Sequence, residues 1–276
     1  MMENVEKIQI SHPLFDSHAH YFDKRLDEIG GADKILKEEV FGGIVGRVVN
    51  VGTNNANNPV CVEQAQKYDG MYAAVGIHPE DIRYCAGSLD DEMETLKNII
   101  GNKENRRAKK IVALGEIGLD YHYEGFDKEK QARFFDAQMS LAEELDIPVI
   151  IHNREAHGDS FECALRHPNV RGVFHSYSGS AEMAAELIRR GWYISFSGVV
   201  TFKNATRVRE VVASVPIERL LIETDCPYLT PHPFRGRVNH SGFIAYTAAA
   251  VADIKGMSAD KVAEITYRNA SELFEI

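Results

Sequence analysis

Short runs of apolar, β-branched residues recur along this chain. Between them lie longer stretches in which apolar positions return every three or four residues. Strands are expected over Pro13–Ser17, Arg47–Val51, Tyr72–Gly76, Ile111–Leu114, Pro148–Ile151, Gly172–Phe174, Trp192–Phe196 and Leu220–Glu223. Runs such as VVNV, YAAV and IVAL are apolar on both strand faces, the pattern of parallel strands covered on both sides. Helices are expected over Ala32–Val40, Pro59–Tyr68, Leu89–Ile100, Asp127–Leu145, Glu155–Leu165, Ala181–Arg190 and Ala205–Ser214, with two more over Gly242–Ile254 and Ser258–Leu273. In Asp127–Leu145 the residues Phe134, Phe135, Met139 and Leu141 fall at helical spacing, and Pro148 closes the following loop.

Strands and helices alternating at about 34 residues per unit predict an α/β fold, a closed (β/α)8 TIM barrel. It forms a single domain over 1–276 with an ordered core of about 10–274. An open doubly wound sheet is the second choice, weakened because no Gly-rich phosphate fingerprint follows the first strand. A chain of 276 residues buries enough surface to fold without disulfides or metal. No Pro/Gly/Ser-rich linker divides it. The charged run Asn102–Lys110 reads as a solvated helix end and loop.

Charge removes one class of function. With 41 acidic and 31 basic residues the net charge is −10, unlike a protein that coats nucleic acid by bulk attraction. Contact with nucleic acid must then be local or metal-mediated. The four cysteines are scattered with no CxxC pair, which argues against a cysteine zinc site. No apolar stretch of about 18 residues could span a membrane, and the segment up to His12 lacks the apolar core of a signal peptide. Free thiols and no export signal point to the cytoplasm.

The polar residues that follow the strands carry the chemistry. They are FDSHAH with Asp16, His18 and His20; GIHP with His78; GEIGLDYH with Glu116 and Asp120; IHNR with His152 and Arg154; FHSYSG with His175; and ETDCPYL with Asp225. In a barrel all these strand exits converge on the C-terminal face. His18 and His20, two apart, share one strand face and can aim at one ion. His12, His122, His157, His167, His232 and His240 lack this placement and are expected on the surface. Six candidate donors exceed what one zinc takes, so two divalent metal ions sharing a carboxylate are expected. Glu116 is the bridge, His18 and His20 with Asp225 hold the first ion, and His152 and His175 hold the second.

Asp225 is also placed to take the proton of the attacking water, which makes it, with Glu116, a catalytic candidate. Asp16 is expected to support the ligands from behind, and Asp120 to orient the Glu116 loop. His78 reads either as a catalytic, substrate-binding group at the scissile phosphate or leaving group, or as a packing residue. Arg154 reads either as a phosphate clamp or as one half of a rim salt bridge. Lys203, Arg207, Arg209, Arg235 and Arg237 read either as ordinary surface charges or as a local positive rim. Four imidazoles favour Zn, Mn or Fe over Mg; Ni is also open.

In this order, FDSHAH, GIHP, GEIGLDYH, IHNR, HSYSG and ETDCPYL resemble the TatD family of metal-dependent hydrolases, from Phe15 to the C-terminal helices. The resemblance implies a barrel of the wider amidohydrolase superfamily with metal ligands at His18, His20, Glu116, His152, His175 and Asp225. It also implies phosphodiester hydrolysis, typically Mg- or Mn-dependent deoxyribonuclease activity, 3′–5′ exonuclease action included. The partners are then DNA or a small phosphoester, with no membrane, and the chain is a monomer or weak oligomer. There is one departure. The family's Asn-Glu-Pro segment is Asn239-His240-Ser241 here, which bears on substrate choice. A hydrolase of a small phosphoester, amide or lactone on the same barrel is the alternative. A carboxylated-lysine bridge is disfavoured because Lys109 and Lys110 sit at the wrong end of strand four. A non-catalytic metal-binding scaffold is the reading from another class; a turnover assay with added metal separates it.

Overall fold

The computed structural model describes residues 8–276. Residues 1–7, most of the segment inspected for an export signal, lie outside the described residues. The strands are β1 (Leu14–Ala19), β2 (Val45–Val51), β3 (Met71–Val75), β4 (Ile111–Asp120), β5 (Val149–Arg154), β6 (Gly172–Phe174), β7 (Tyr193–Phe196) and β8 (Leu220–Ile222). The helices are α1 (Ala32–Ile35), α2 (Asn58–Lys67), α3 (Leu89–Ile100), α4 (Lys103–Ala108), α5 (Lys128–Leu145), α6 (His157–Arg166), α7 (Ala181–Arg189), α8 (Thr206–Ser214), α9 (Ile244–Lys255) and α10 (Ala259–Phe274). Side-chain caps start several of them: Ser88 in a capping box with Asp91 before α3, Asp127 before α5 and Ser258 before α10.

The strands pair in parallel and in sequence order. The sheet closes where Ala19 bridges Cys226. There the Asp225 N–H donates to His18 O (2.9 Å) and the His20 N–H to Cys226 O (2.7 Å). The result is the (β/α)8 barrel. Apolar residues on alternate strand faces are used twice. Phe15, Val49, Ala74, Ile150, Val173 and Leu221 fill the lumen with the end of α10, where Phe274 meets Phe15. Leu14, Val48, Ala73, Val149, Ile194 and Leu220 pack outward under the helices.

Two irregularities aim the site. On β1 the register runs from Asp16↔Val48 to Ala19↔Asn50, and on β4 from Leu114↔Val149 to Ile117↔Ile151. Each is one extra residue, a β-bulge that switches the phase of side chains. The first sends Ala19 outward to the helix-covered core and turns His18 and His20 into the mouth. The second turns Glu116 inward. Gly118, at φ +143, is required here because a Cβ would overlap the His152 carbonyl of β5.

Three expectations change. β4 and β5 run past their apolar segments, to Asp120 and Arg154. The helix expected over Ala32–Val40 is α-helical only to Ile35 and then makes a π turn. The run Asn102–Lys110 is not simply solvated. It forms α4, and Arg106 is buried because its guanidinium donates to the α5 terminus at Leu145 O (2.9 Å) and Asp146 O (3.3 Å). Among the described residues no helix is long and apolar enough to cross a membrane.

Candidate metal centre and active site

Glu116, buried at the mouth, stands between two sets of imidazoles. Its Oε2 lies 3.3 Å from His18 Nε2 and 3.6 Å from His20 Nε2. Its Oε1 lies 2.7 Å from both His152 Nδ1 and His175 Nε2. Asp225 Oδ1 lies 3.7 Å from His18 Nε2 and 3.4 Å from His20 Nε2, and the two Nε2 atoms are 3.1 Å apart. Donors around a four-coordinate ion with bonds of about 2.0–2.2 Å sit roughly 3.3–3.6 Å from one another. His18, His20 and Asp225 have that spacing and form a group that can hold a divalent ion, and Glu116 Oε2 stands at the same range from both imidazoles. The set at Oε1 is drawn in to hydrogen-bond distance.

The far ring nitrogens decide which nitrogen faces the centre. His20 Nδ1–H donates to Val51 O (2.7 Å), and His152 Nε2–H donates to Asp120 Oδ2 (3.0 Å). His175 Nδ1–H donates to Glu223 Oε1 (3.2 Å), which also accepts the Ser176 N–H (2.8 Å). Partners of this kind fix the tautomer and raise the basicity of the inward nitrogen. His18 is the exception: its Nδ1 is buried without a partner among the described residues, and its ring stacks on His175 at 4.0 Å.

Burial favours the neutral imidazole, and at His18, beside His175, it lowers the pKa. At His175 burial is outweighed by Glu116 and Glu223, which hold the pKa well above the ordinary value. His152 is raised against burial by Asp120 and Glu116, and His20 by Asp225 and Glu116. Burial would raise the Glu116 carboxyl, but the imidazoles of His175, His18 and His78 hold it well below the carboxylate range. Protons thus bind the second set together, and an ion enters it by displacing them.

The structure brings the remaining expected residues to the same mouth, with corrections. His78 Nδ1 accepts the Glu80 N–H (3.1 Å), so its Nε2–H faces the centre, 3.7 Å from Glu116 Oε1. Burial, with His152 alongside, lowers its pKa to about 3. It is a neutral hydrogen-bond donor and not a stored proton. Asp16 is buried at the seam and accepts the Thr224 N–H (2.9 Å) and hydroxyl (2.5 Å), tying β1 to the segment that carries Asp225. Asp120 holds its own segment, its Oδ1 accepting the His122 N–H (2.9 Å), and its Oδ2 also reaches His152, because Gly118 pairs with His152 across the β4–β5 register and places Asp120 beside that ring.

Arg154 makes no ion pair among the described residues. Its guanidinium lies over the Tyr123 ring at 5.1 Å and donates to the Tyr123 hydroxyl (3.2 Å). His167 and His240 are buried, not on the surface. His167 bonds Asp136 (3.2 Å), and His240 accepts the Gly242 N–H and packs on Phe243. Asn239, the residue kept at the family departure, is also buried. Its Nδ2 donates to Thr224 O (3.0 Å) and Tyr228 O (2.6 Å), pinning the loop around Asp225.

Above the centre is a cleft of about 680 Å³. Three arginines line it, and each lies over a tyrosine: Arg25 on Tyr228 (4.6 Å), Arg83 on Tyr84 (5.2 Å) and Arg154 on Tyr123 (5.1 Å). Lys203, Arg207, Arg209, Arg235 and Arg237 do not line it, in keeping with their reading as ordinary charges and not as a rim to this cleft. Arg235 packs over Phe202 (3.7 Å) and Arg209 donates to Val200 O (3.3 Å), so these charges serve the neighbouring wall. Sequence reasoning missed Glu223. The signal was available, since Glu223 and Asp225 are two apart at a strand end, as His18 and His20 are.

A family model described as "TatD related DNase" matches residues 15–275. The chain is 41% identical over 269 residues to the Bacillus subtilis (strain 168) protein called uncharacterized metal-dependent hydrolase YabD, covering 95% of this chain and 99% of that one. The crystal structure of YJJV, a TatD homolog from Escherichia coli K12, has a TM-score of 0.86 and 29% identity, covering 95% of this chain and 98% of that one. A hydrolase of the TatD family from Entamoeba histolytica shares the fold, with a TM-score of 0.82, 21% identity and 96% and 99% of the two chains covered. The match runs through every strand exit that feeds the centre, so this chain belongs to the TatD family of metal-dependent hydrolases.

Proposed function

We propose that this chain hydrolyses phosphodiester bonds of DNA with two divalent ions held around Glu116. The observation that carries the two-ion reading is the division of Glu116: one carboxylate oxygen faces each imidazole set. A shared carboxylate is what a pair of ions roughly 3.5–4 Å apart uses. His18, His20, Asp225 and Glu116 Oε2 would hold the first, and His152, His175 and Glu116 Oε1 the second. When bound, such ions bring the pKa of water toward neutrality and neutralise charge building on phosphate oxygens.

The chain's own residues supply the rest. Burial would raise the Asp225 carboxyl, but His20 and His18 hold it below its ordinary value, so it is ionised and able to take the proton of the attacking water. His78 Nε2–H donates to a phosphate or leaving-group oxygen. Arg154, at the edge of the centre, contacts the phosphate. The Arg25–Tyr228 and Arg154–Tyr123 pairs, whose rings line the cleft, support a nucleic-acid substrate, because ring faces beside arginines hold unstacked bases of a single strand. The test is turnover of single-stranded DNA, duplex DNA, RNA and small phosphoesters after reconstitution with Mn, Zn or Mg. Single-stranded DNA should be cleaved only with ion added. Turnover of amides or lactones without any phosphoester would overturn the reading.

A further inference from the structure

The mouth has a second recess, of about 300 Å³, on the side of β6 and β7. It shares with the main cleft only His152, Arg154, His175 and Asp225. The two spaces differ in charge. Outside the centre itself the main cleft is lined by Asp23, Glu80, Asp81 and Glu124 as well as its arginines. Beyond the four shared residues, no charged side chain lines the recess. Its lining combines the hydroxyls of Ser176 and Ser197, 2.9 Å apart, with the side chains of Phe196, Val199, Val208 and Leu229.

A further phosphate placed in this recess would be desolvated against apolar side chains, with the shared Arg154 as the lining arginine, an unfavourable transfer. Hydroxyls next to apolar side chains suit a ring with hydroxylated edges and apolar faces. The volume equals about ten waters at ~30 Å³ each, room for one ring system with its substituents. We infer that the recess seats a neutral, hydroxylated ring esterified to the phosphate held at the centre. This rests on the phosphoester reading above.

His78 sets the direction of cleavage. It lines the main cleft and not the recess, with Nε2–H toward the centre. The leaving oxygen that it serves therefore departs into the main cleft. Water oxygen bonds to phosphorus, the bond from phosphorus to the main-cleft oxygen breaks, and the proton lost by water ends on that oxygen. The ring in the recess stays on phosphorus, so the species left over the centre is a monophosphate ester.

Calorimetric titration of the manganese-loaded protein with inorganic phosphate, ribose 5-phosphate and thymidine 5′-monophosphate tests this. The two esters separate a sugar-sized from a nucleoside-sized occupant. At least one should bind about tenfold or more tightly than inorganic phosphate, and Val199→Trp, which fills the recess, should erase that advantage while phosphate binding stays within about twofold. Val208→Phe is the second filling variant, and retained phosphate affinity reports an intact centre in each. Esters that bind no better than phosphate, or an advantage that survives both substitutions, would overturn the recess assignment. Failure of all three probes to bind the unaltered protein would overturn the phosphoester reading, and the recess ligand with it.

Discussion

The two donor sets that meet at Glu116 are built on different ground. His18, His20 and Asp225 stand on the seam, where β1 meets the chain after β8 through a single backbone bridge. Asp16, Thr224 and Asn239 hold that seam by hydrogen bonds. His152 and His175 come from strands paired in unbroken register, β5 and the exit of β6. A carboxylate stands behind each, Asp120 for His152 and Glu223 for His175. The seam set has backbone behind His20 and, among the described residues, no partner for His18 Nδ1. One set is placed by chain geometry, and the other is oriented and made basic by charge. They should therefore respond differently to substitution and to protons.

The largest effect should come from the residue they share. Glu116→Ala should empty both sets and lower turnover by more than the ~10²–10³-fold lost with one transition-state donor. The apolar lumen does not involve Glu116, so far-UV circular dichroism should be unchanged. Elemental analysis showing two ions, with a near-normal rate, would rule out Glu116 as the shared ligand.

Asp225→Asn should act on the seam set alone. The amide keeps an oxygen but holds a cation more weakly and is no base, so turnover should drop ~10²–10⁴-fold. An ion should persist at His152 and His175. If excess metal restores the full rate, Asp225 is a ligand and not the base.

Glu223→Gln and Asp120→Asn sharpen the other side. Each should weaken ion binding at His152 and His175 by ~10–100-fold, the usual effect of removing a partner behind a ligand. Metal titration should show the seam set unaffected; equal weakening at both would contradict the division.

The smallest effect is that of pH on loading. His175 and His152 both have raised pKa values, so below those values an entering ion must expel protons. Affinity at that set should rise with pH and keep rising beyond the ordinary histidine value of ~6.5. In the seam set His20 is raised but His18 is lowered, so its affinity should climb less steeply. Acidification should empty the second set first, and titrations across roughly pH 6–8 read this directly.

Much of this was legible from pattern. The barrel followed from apolar runs at even spacing, because both faces of each strand are buried. The pattern ended early on β4 and β5 for a physical reason: Glu116, Asp120, His152 and Arg154 replace apolar residues where strands line the mouth. α4 has six residues and no apolar stripe, so nothing periodic marked it. Spacing put His18 and His20 on one face, but the bulge that turns that face inward appears only in the β1–β2 register. The bond from Asp120 to His152 has no signal in the sequence because that partner lies across a strand pair, which one strand's sequence does not encode. The Arg25–Tyr228 and Arg154–Tyr123 pairs of the cleft join residues from separate segments and carry no local signature.

The central claim is that one carboxylate joins two separately held ions. Anomalous diffraction from crystals grown with manganese tests it most directly. Two peaks roughly 3.5–4 Å apart are expected, one among His18, His20 and Asp225 and one between His152 and His175, with a Glu116 oxygen toward each. A single peak at full loading, or two peaks with Glu116 bound to only one, would contradict it.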